Sequence, residues 1–544
     1  MYLGVDVGGT HTDAVLVSEG FKILTSAKAV TQPQVIDSLH AVLTQLLANR
    51  NHRDVKRLTV STTLGLNSVL TGAAPPVGIM VTGGPGLELD PADWGPLFRA
   101  LPGSQDHRGQ VLASLDYPAT LAVAQELAQK AETLVVGAKF GPKNPVLERT
   151  MAQAALAATT SVIAASRLFG RLNFARRLGG AVLNAAVQKL YENFLADLQK
   201  ALLDHQLHGE VFVLKADGGV MSVEEAREKP VLALAAGPAA SLLGLWALAE
   251  TTTADPEQDI LMIDIGGTSS DLAILSRGKP LLTPEGLTLA NRPTLVRGLL
   301  THSLALGGDT DLAYVDGQIL PLAQRRGPAL SLDPVNAPQR LPTLTDALNV
   351  LGLCQVGDVA ISYQAFDKMT PGQAQKTARL AVDAVLDKLK RAFEEFLTTV
   401  NSQPVYTISE FLVDWRLNPT QAVILGGPAA TLAQPLSETL QIPTVAPPEA
   451  ATANALGAAL AKPTTEAELY ADTATGSLSV PTLNIQRSIS SRYTLDEAKA
   501  DLLAALGEEA QITFAEIFNQ VSDYGDSGRV MRVRAQTAPG LISG

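Results

Sequence analysis

The sequence predicts an α/β protein of two lobes with a small C-terminal extension. Its 544 residues are enough for two large lobes and an extra piece. A strand, Gly-Gly turn, strand pattern at the N-terminus recurs 258 residues later. A third Gly-Gly element and a helix of small residues follow near the end of the second half.

The first copy runs Leu3-Gly-Val-Asp6-Val-Gly8-Gly9-Thr10-His-Thr-Asp13, and the second runs Leu261-Met-Ile-Asp264-Ile-Gly266-Gly267-Thr268-Ser-Ser-Asp271. Each reads as a β-hairpin. Glycines let the backbone approach a ligand closely. Successive N–H groups in such a turn form an anion-binding concavity. Gly8, Gly9, Thr10, His11 and Thr12, with Gly266, Gly267, Thr268 and Ser269, are therefore the candidate phosphate ligands. Asp6 and Asp264 end the strands before the turns, where a carboxylate suits Mg²⁺. Two such hairpins face to face would clamp one polyphosphate. Neither copy is a Walker loop, since no Gly-x-x-x-x-Gly-Lys-Ser/Thr is present there. Neither is a Rossmann fingerprint, because each turn leads into a second strand.

The third element is a strand at 422–425 followed by Gly426, Gly427 and Pro428. A Gly-Gly turn there would admit a flat ring system such as adenine. Residues 449–461 read as a helix whose Ala and Gly positions permit close helix crossing.

Composition narrows the function classes. The chain is 46% hydrophobic and 18% charged, which excludes a disordered solvating chain. Its net charge of −12 leaves no global basic footprint for nucleic acid. A single cysteine, Cys354, excludes an intramolecular disulfide framework and a Cys-rich metal site. The first residues do not read as a signal peptide. Residues 231–249 carry no charge and just reach spanning length, but Gly237-Pro238 interrupts them. They read as a short buried strand, a turn, then a buried helix. The expectation is a cytoplasmic protein that binds neither nucleic acid nor membrane.

This set of motifs resembles the actin/Hsp70/sugar-kinase superfamily. Further segments resemble the hydantoinase A/oxoprolinase family. These are Thr62-Thr63…Asn67, Gly83-Gly84, Asn144-Pro145…Glu148, Ala236-Gly237-Pro238, Thr345-Asp346-Ala347 and Asn454-Ala-Leu-Gly457. The resemblance covers residues 1–462. It departs at Leu306-Gly307-Gly308-Asp309-Thr310, where Asp replaces a glycine and Thr a serine, and at Val60-Ser61, where the family has His-Gly. Both changes fit a shorter branch.

The resemblance implies an actin-like ATPase fold with ribonuclease H-like lobes closing over ATP and Mg²⁺. It implies hinge helices that cross, and opening of a small cyclic amide such as 5-oxoproline or a hydantoin. It places Thr62, Thr63, Gly307 and Gly308 beside the cofactor. Asp309 and Asp346 become candidates for orienting substrate or acting as a base; turn formation and helix capping are their simpler roles. A separate hydantoinase B-like subunit is implied as a partner. A homo-oligomer, a small-molecule kinase and an ATP-dependent regulator remain open.

Along the chain, residues 1–175 form the expected N-terminal lobe. Gly179-Gly180 ends it, and 181–206 read as a bridging helix. Residues 176–462 form the second lobe and hinge, and 463–544 the extension. A helix is expected from 370 to 400 and another from 495 to 506. His205 and His208 are read as an exposed helix end with no metal, and Cys354 as buried.

Overall fold

The computed structural model describes residues 1–9, 11–48, 54–84, 86–87, 89–250, 258–402, 416–521 and 527–542. Thr10 lies outside the described residues.

The repeat folds as the sequence suggested. Tyr2–Val7 and His11–Val17 pair antiparallel with Asp6 opposite Asp13. Ile260–Ile265 and Ser270–Ser276 pair the same way with Asp264 opposite Asp271. Each hairpin takes one parallel neighbour on its other side. That neighbour is Arg57–Thr62 in the first sheet and Gln421–Leu425 in the second. The two sheets therefore share a three-strand core of one topology.

Alternation along these strands explains why both sheet faces are buried. Leu3, Val5 and Val7 enter one core with the helix Phe174–Asp204. Val15 and Val17 turn to the opposite face. In the second sheet Leu261, Ile263 and Ile265 face the long helix Ala374–Asn401, while Met262 faces away. Val15, Val17, Met262 and Val423 share one central cluster. Sheets covered on both sides read as nearly continuous apolar runs, as these strands do.

Two helices fill that centre, Ala236–Glu250 and Ala453–Leu460. They meet backbone to backbone. A Cβ on Gly244 would lie 2.0 Å from the Ala453 carbonyl, and one on Gly457 2.1 Å from that of Ala240. Gly4 does the same for the first sheet, with Ala455 O at 1.9 Å. This is the close helix crossing that the Ala and Gly positions of 449–461 permit.

Several expectations change. The first sheet takes its outer strands, Glu210–Leu214 and Val220–Ser222, from beyond residue 176. The sheet thus does not stop at the expected lobe boundary, because Glu210–Leu214 pairs parallel with Arg57–Thr62. Gly179-Gly180 lies inside the helix Phe174–Asp204 rather than ending a lobe. The pair is a packing feature, since a Cβ on Gly180 would sit 2.3 Å from the Phe169 ring and one on Gly179 2.5 Å from Pro293 O. The expected strand after 231 is a 3-10 turn, Pro230–Ala233. The helix behind it holds Pro238 in its first turn, where a missing N–H costs nothing. Among the described residues no helix is long and apolar enough to cross a membrane.

A second, four-stranded parallel sheet (residues 77–164) decorates the first lobe. The chain ends in a five-stranded antiparallel sheet running from Glu466–Asp472 to Ser527–Gln536. The helix Leu495–Leu506 packs on it with the expected bounds, opened by a Thr494/Glu497 capping box.

Candidate functional site

Both hairpin turns are closed the same way. Gly8 N–H donates to His11 O at 3.1 Å, and Gly266 N–H to Ser269 O at 2.9 Å. Gly9, His11, Gly267 and Thr268 are exposed at the turn tips. The second glycine of each turn looks onto a polar side chain, from the helix Leu64–Leu70 in the first case and from a following loop in the second. A Cβ on Gly9 would meet Asn67 Nδ2 at 3.6 Å, and one on Gly267 would meet Asp309 Oδ2 at 2.9 Å.

Thr12 is fully buried and its hydroxyl contacts Thr31 Oγ1 at 3.1 Å; Thr31 donates in turn to Gly8 O at 2.9 Å. Thr12 thus braces the turn from behind rather than lining it. Thr63 N–H donates to Val7 O at 3.3 Å and Thr62 Oγ1 accepts from Leu64 N–H. This couples the Thr-Thr segment to the end of the first strand.

Behind the turns stand the two carboxylates. Asp6 is 5% exposed. Burial raises its pKa to about 6; Asn454 and Ser61 oppose this, while Asp13 and Asp264 add to it by repulsion. Asp6 Oδ2 accepts from Asn454 Nδ2 at 3.2 Å. Its Oδ1 is buried with no hydrogen-bond partner, and Ser61 Oγ, though near, is unpartnered too. Asp264 is also pushed up, mainly by burial, with Ser241 lowering it and Asp271 raising it. Ser241 Oγ donates to Asn454 Oδ1 at 2.9 Å. Asn454 thus ties the helix Ala236–Glu250 to the first hairpin's carboxylate.

This pair suits a divalent cation. Mg²⁺ needs only one or two carboxylates besides water and phosphate oxygens. An orphaned buried carboxylate oxygen beside a second carboxylate is the vacant donor such an ion takes. Among the described residues no group of three or more His, Cys, Asp or Glu could hold a metal on its own. Water and phosphate oxygens would complete the shell of such an ion.

The Gly-rich loop rests on the second turn. Gly308 N–H donates to Gly266 O at 2.9 Å and Asp309 N–H to Gly267 O at 2.7 Å. A Cβ on Gly307 would lie 2.6 Å from Gly266 O, so only glycine fits. Asp309 accepts from Arg325 Nη2 at 2.7 Å and from Ala329 N–H at 3.1 Å. On the other side of the second strand, Gly426 has φ +98° and would place a Cβ 2.0 Å from Ile265 O. A Cβ on Gly427 would meet nothing within 4 Å, and Pro428 leads into the helix Ala429–Leu440. Gly426 thus closes the turn, and Gly427 leaves its outer face open.

Asp346 does not belong with these groups. It is fully buried and accepts from Thr343 N–H, Thr343 Oγ1, Leu330 N–H, Ser331 N–H and Ser362 Oγ at 2.7–3.1 Å. It completes a capping box for Leu344–Val350. Its oxygens are saturated, so its part is structural. Glu148 is likewise spent inside the first lobe, on Ala138 N–H and Ser166. Cys354 is half-buried rather than buried; desolvation and Asp346 push its thiol up, which opposes a nucleophilic role. His205 meets His40, at 3.2 Å, rather than pairing with His208.

Sequence reasoning passed over Ser241 and the link from Asn454 to Asp6. One signal was present: Ser241 is the single hydroxyl in the uncharged run 231–249.

Comparison with known proteins agrees with this architecture. The model of the hydantoinase/oxoprolinase family matches residues 177–467, and that of its N-terminal region matches residues 2–158. An uncharacterized protein of Methanocaldococcus jannaschii is 24% identical over 516 residues, covering 84% of this chain and 72% of its own. An acetone carboxylase in a nucleotide-free structure superposes with a TM-score of 0.70 at 16% identity, covering 100% of this chain and 88% of that one. An ATP-dependent caprolactamase from Pseudomonas jessenii gives 0.71 at 16% identity, over 98% and 87%. At that identity the likeness is one of fold, and the fold is the two-lobed actin-like α/β type. The family matches together span most of both lobes, and the chain belongs to the hydantoinase/oxoprolinase family.

Proposed function

We propose that this chain is an ATP- and Mg²⁺-dependent hydrolase that opens a small cyclic amide, 5-oxoproline- or hydantoin-like. It acts alone or as the ATP-using subunit beside a hydantoinase B-like partner, in the cytoplasm. The observation that carries the reading is the mirrored pair of hairpins, with Asp6 and Asp264 at equivalent strand ends and Asp6 tied to the helix Ala453–Leu460 through Asn454. Family membership and the ATP-dependent caprolactamase fold support the substrate class.

The chemistry follows from the electrophile. A lactam carbonyl is a poor acceptor for water. Moving the γ-phosphoryl group to its oxygen makes that oxygen a leaving group. Water then adds at the activated carbon, the C–N bond breaks as nitrogen takes a proton, and a second water hydrolyses the resulting acyl phosphate to carboxylate and free phosphate. Such transfer depends on alignment and charge neutralisation. The N–H groups of Gly9 and Gly267, at the exposed turn tips, would hold phosphate oxygens, with Gly8 and Gly266 closing the turns behind them and His11, Thr268 and Ser269 at the rim. Mg²⁺ on Asp6 and Asp264, directly or through water, would neutralise phosphate charge. Gly426, Gly427 and Pro428 would take the adenosine side. Asp309, beside Gly267 and held by the half-exposed Arg325, would orient substrate or accept a proton.

ATP turnover with a panel of lactams, hydantoins and sugars, with and without a hydantoinase B-like protein, tests this. Lactam-dependent ADP and phosphate with a ring-opened product is the expected result. A stable phosphorylated product would make the protein a kinase. Turnover that responds only to a protein would make it a regulator.

A further inference from the structure

A pocket lies away from the hairpins, where the C-terminal sheet meets the first lobe and the 295–297 segment. Its volume is about 220 Å³. That is below the roughly 300–1,000 Å³ of sites for drug-sized ligands, so it suits a small metabolite. Charged side chains dominate its polar wall, and most of them are already matched. Asp217 is held by Arg297 Nε at 2.8 Å and Thr464 Oγ1 at 2.9 Å, with Lys215 Nζ at 3.8 Å. Lys215 also donates to Thr464 O at 2.6 Å. Glu468 takes Arg534 Nε at 2.9 Å, Tyr470 Oη at 2.5 Å and Arg532 Nε. Lys229 pairs with Glu225 at 3.2 Å.

Two groups of opposite sign are held only by long ion pairs, without a hydrogen bond. The Arg171 guanidinium donates no hydrogen bond among the described residues, and its nearest carboxylate, Glu468, is 4.0 Å away and already saturated. The Glu466 carboxylate accepts none, with Arg297 Nε at 3.9 Å. Both are only partly covered, at 19% and 24% side-chain exposure, and both line the pocket. Glu466 and Glu468 stand two apart on one strand, so they share a face. Leu168, Leu232, Leu295 and Leu506 supply apolar wall.

We propose that this pocket binds a small zwitterion of the amino-acid class, with its carboxylate on Arg171 and its ammonium on Glu466. A planar guanidinium with free donors pairs well with a carboxylate. The Glu466 carboxylate, which accepts no hydrogen bond, takes the amine, and the leucines take the carbon chain. The pocket is built by the first lobe, the 295–297 segment and the C-terminal sheet, so occupancy would clasp these parts together. A ring-opened lactam belongs to this ligand class; only that identification of the natural ligand rests on the proposed reaction.

Calorimetric titration of the full chain, without ATP, tests the site. The probes are L-glutamate, 6-aminohexanoate, hexanoate and hexylamine. Saturable binding of at least one zwitterion is expected, with both single-charge probes at least about tenfold weaker. Arg171→Gln and Glu466→Gln should each weaken the zwitterion at least about tenfold. Arg171→Lys and Glu466→Asp serve where the first variants do not fold, and thermal unfolding checks each. No saturable binding of either zwitterion, hexanoate binding as tightly as 6-aminohexanoate, or full affinity in both variants would overturn the proposal. Because ATP is omitted, a failed lactam assay leaves this result standing.

Discussion

Asn454 Nδ2 donates to Asp6 Oδ2 at 3.2 Å, across 448 residues of chain. The same side chain accepts from Ser241 at 2.9 Å. One amide on a hinge helix thus reads the first hairpin's carboxylate and the neighbouring hinge helix together. If the lobes rotate, this contact is where the rotation reaches the carboxylate.

Replacing Asn454 by Ala should leave Asp6 without its one hydrogen-bonded donor. A lost bond to a buried carboxylate costs about 1–3 kcal/mol. Denaturant unfolding should show that loss, and ATP turnover should fall. Asn454→Asp should be worse, since it sets a second carboxylate against the first. A variant with wild-type stability and turnover would remove Asn454 from the hinge relay.

Asp6 also sets a pH dependence. Its pKa is about 6 in the folded chain against 3.8 for the ordinary side chain. The folded state therefore holds the proton more tightly, and stability falls as pH rises from about 4 to 6. The size is about 3 kcal/mol at 1.4 kcal/mol per pKa unit. Asp6→Asn should flatten that part of the curve. Mg²⁺ and nucleotide, which need the carboxylate ionised, should bind less well below pH 6 in wild type. Unfolding curves at pH 4 to 8, with and without Mg-ATP, would read both.

Adjacent glycines should behave differently. Gly426→Ala forces a Cβ within 2.0 Å of Ile265 O at positive φ. Strain of that kind costs about 1–3 kcal/mol. Gly427→Ala meets nothing within 4 Å, so stability should hold while ATP affinity drops. Equal ATP affinity in Gly427→Ala and wild type would move adenosine elsewhere.

Asp346 and Asp309 separate structure from chemistry. Asp346→Asn turns one carboxylate oxygen, which accepts from two or three of the five donors, into an amide NH2 facing them, and about 3 kcal/mol of stability should go with it. Asp309→Asn faces Arg325 near the surface, so melting should shift little while turnover falls. The opposite pattern in melting and steady-state assays would exchange the two roles.

The hairpins were legible because glycine spacing and alternating apolar residues are local, and the register carried Asp6 and Asp264 to equivalent places. The hinge crossing was legible from the Ala and Gly of 449–461. What escaped was pairing at long range. Glu210–Leu214 joins the first sheet only because Arg57–Thr62 offers a parallel edge, which no local pattern announces. Gly179-Gly180 looked like a break because helix-interior glycine usually weakens a helix. Here Phe169 and Pro293 occupy the space a side chain would need. Asp346 carried a capping signal and a catalytic one; only its five donors decide between them.

The central claim is that both hairpins serve one Mg-nucleotide. Titration of ATP in the presence and absence of Mg²⁺, on wild type, Asp6→Asn, Asp264→Asn and the double variant, tests it most directly. One nucleotide per chain is expected. Either single change should cost at least about tenfold in Mg²⁺-dependent affinity. The double change should cost little more, because the two residues share one ion. Two nucleotides per chain, or wild-type affinity in Asp264→Asn, would contradict it.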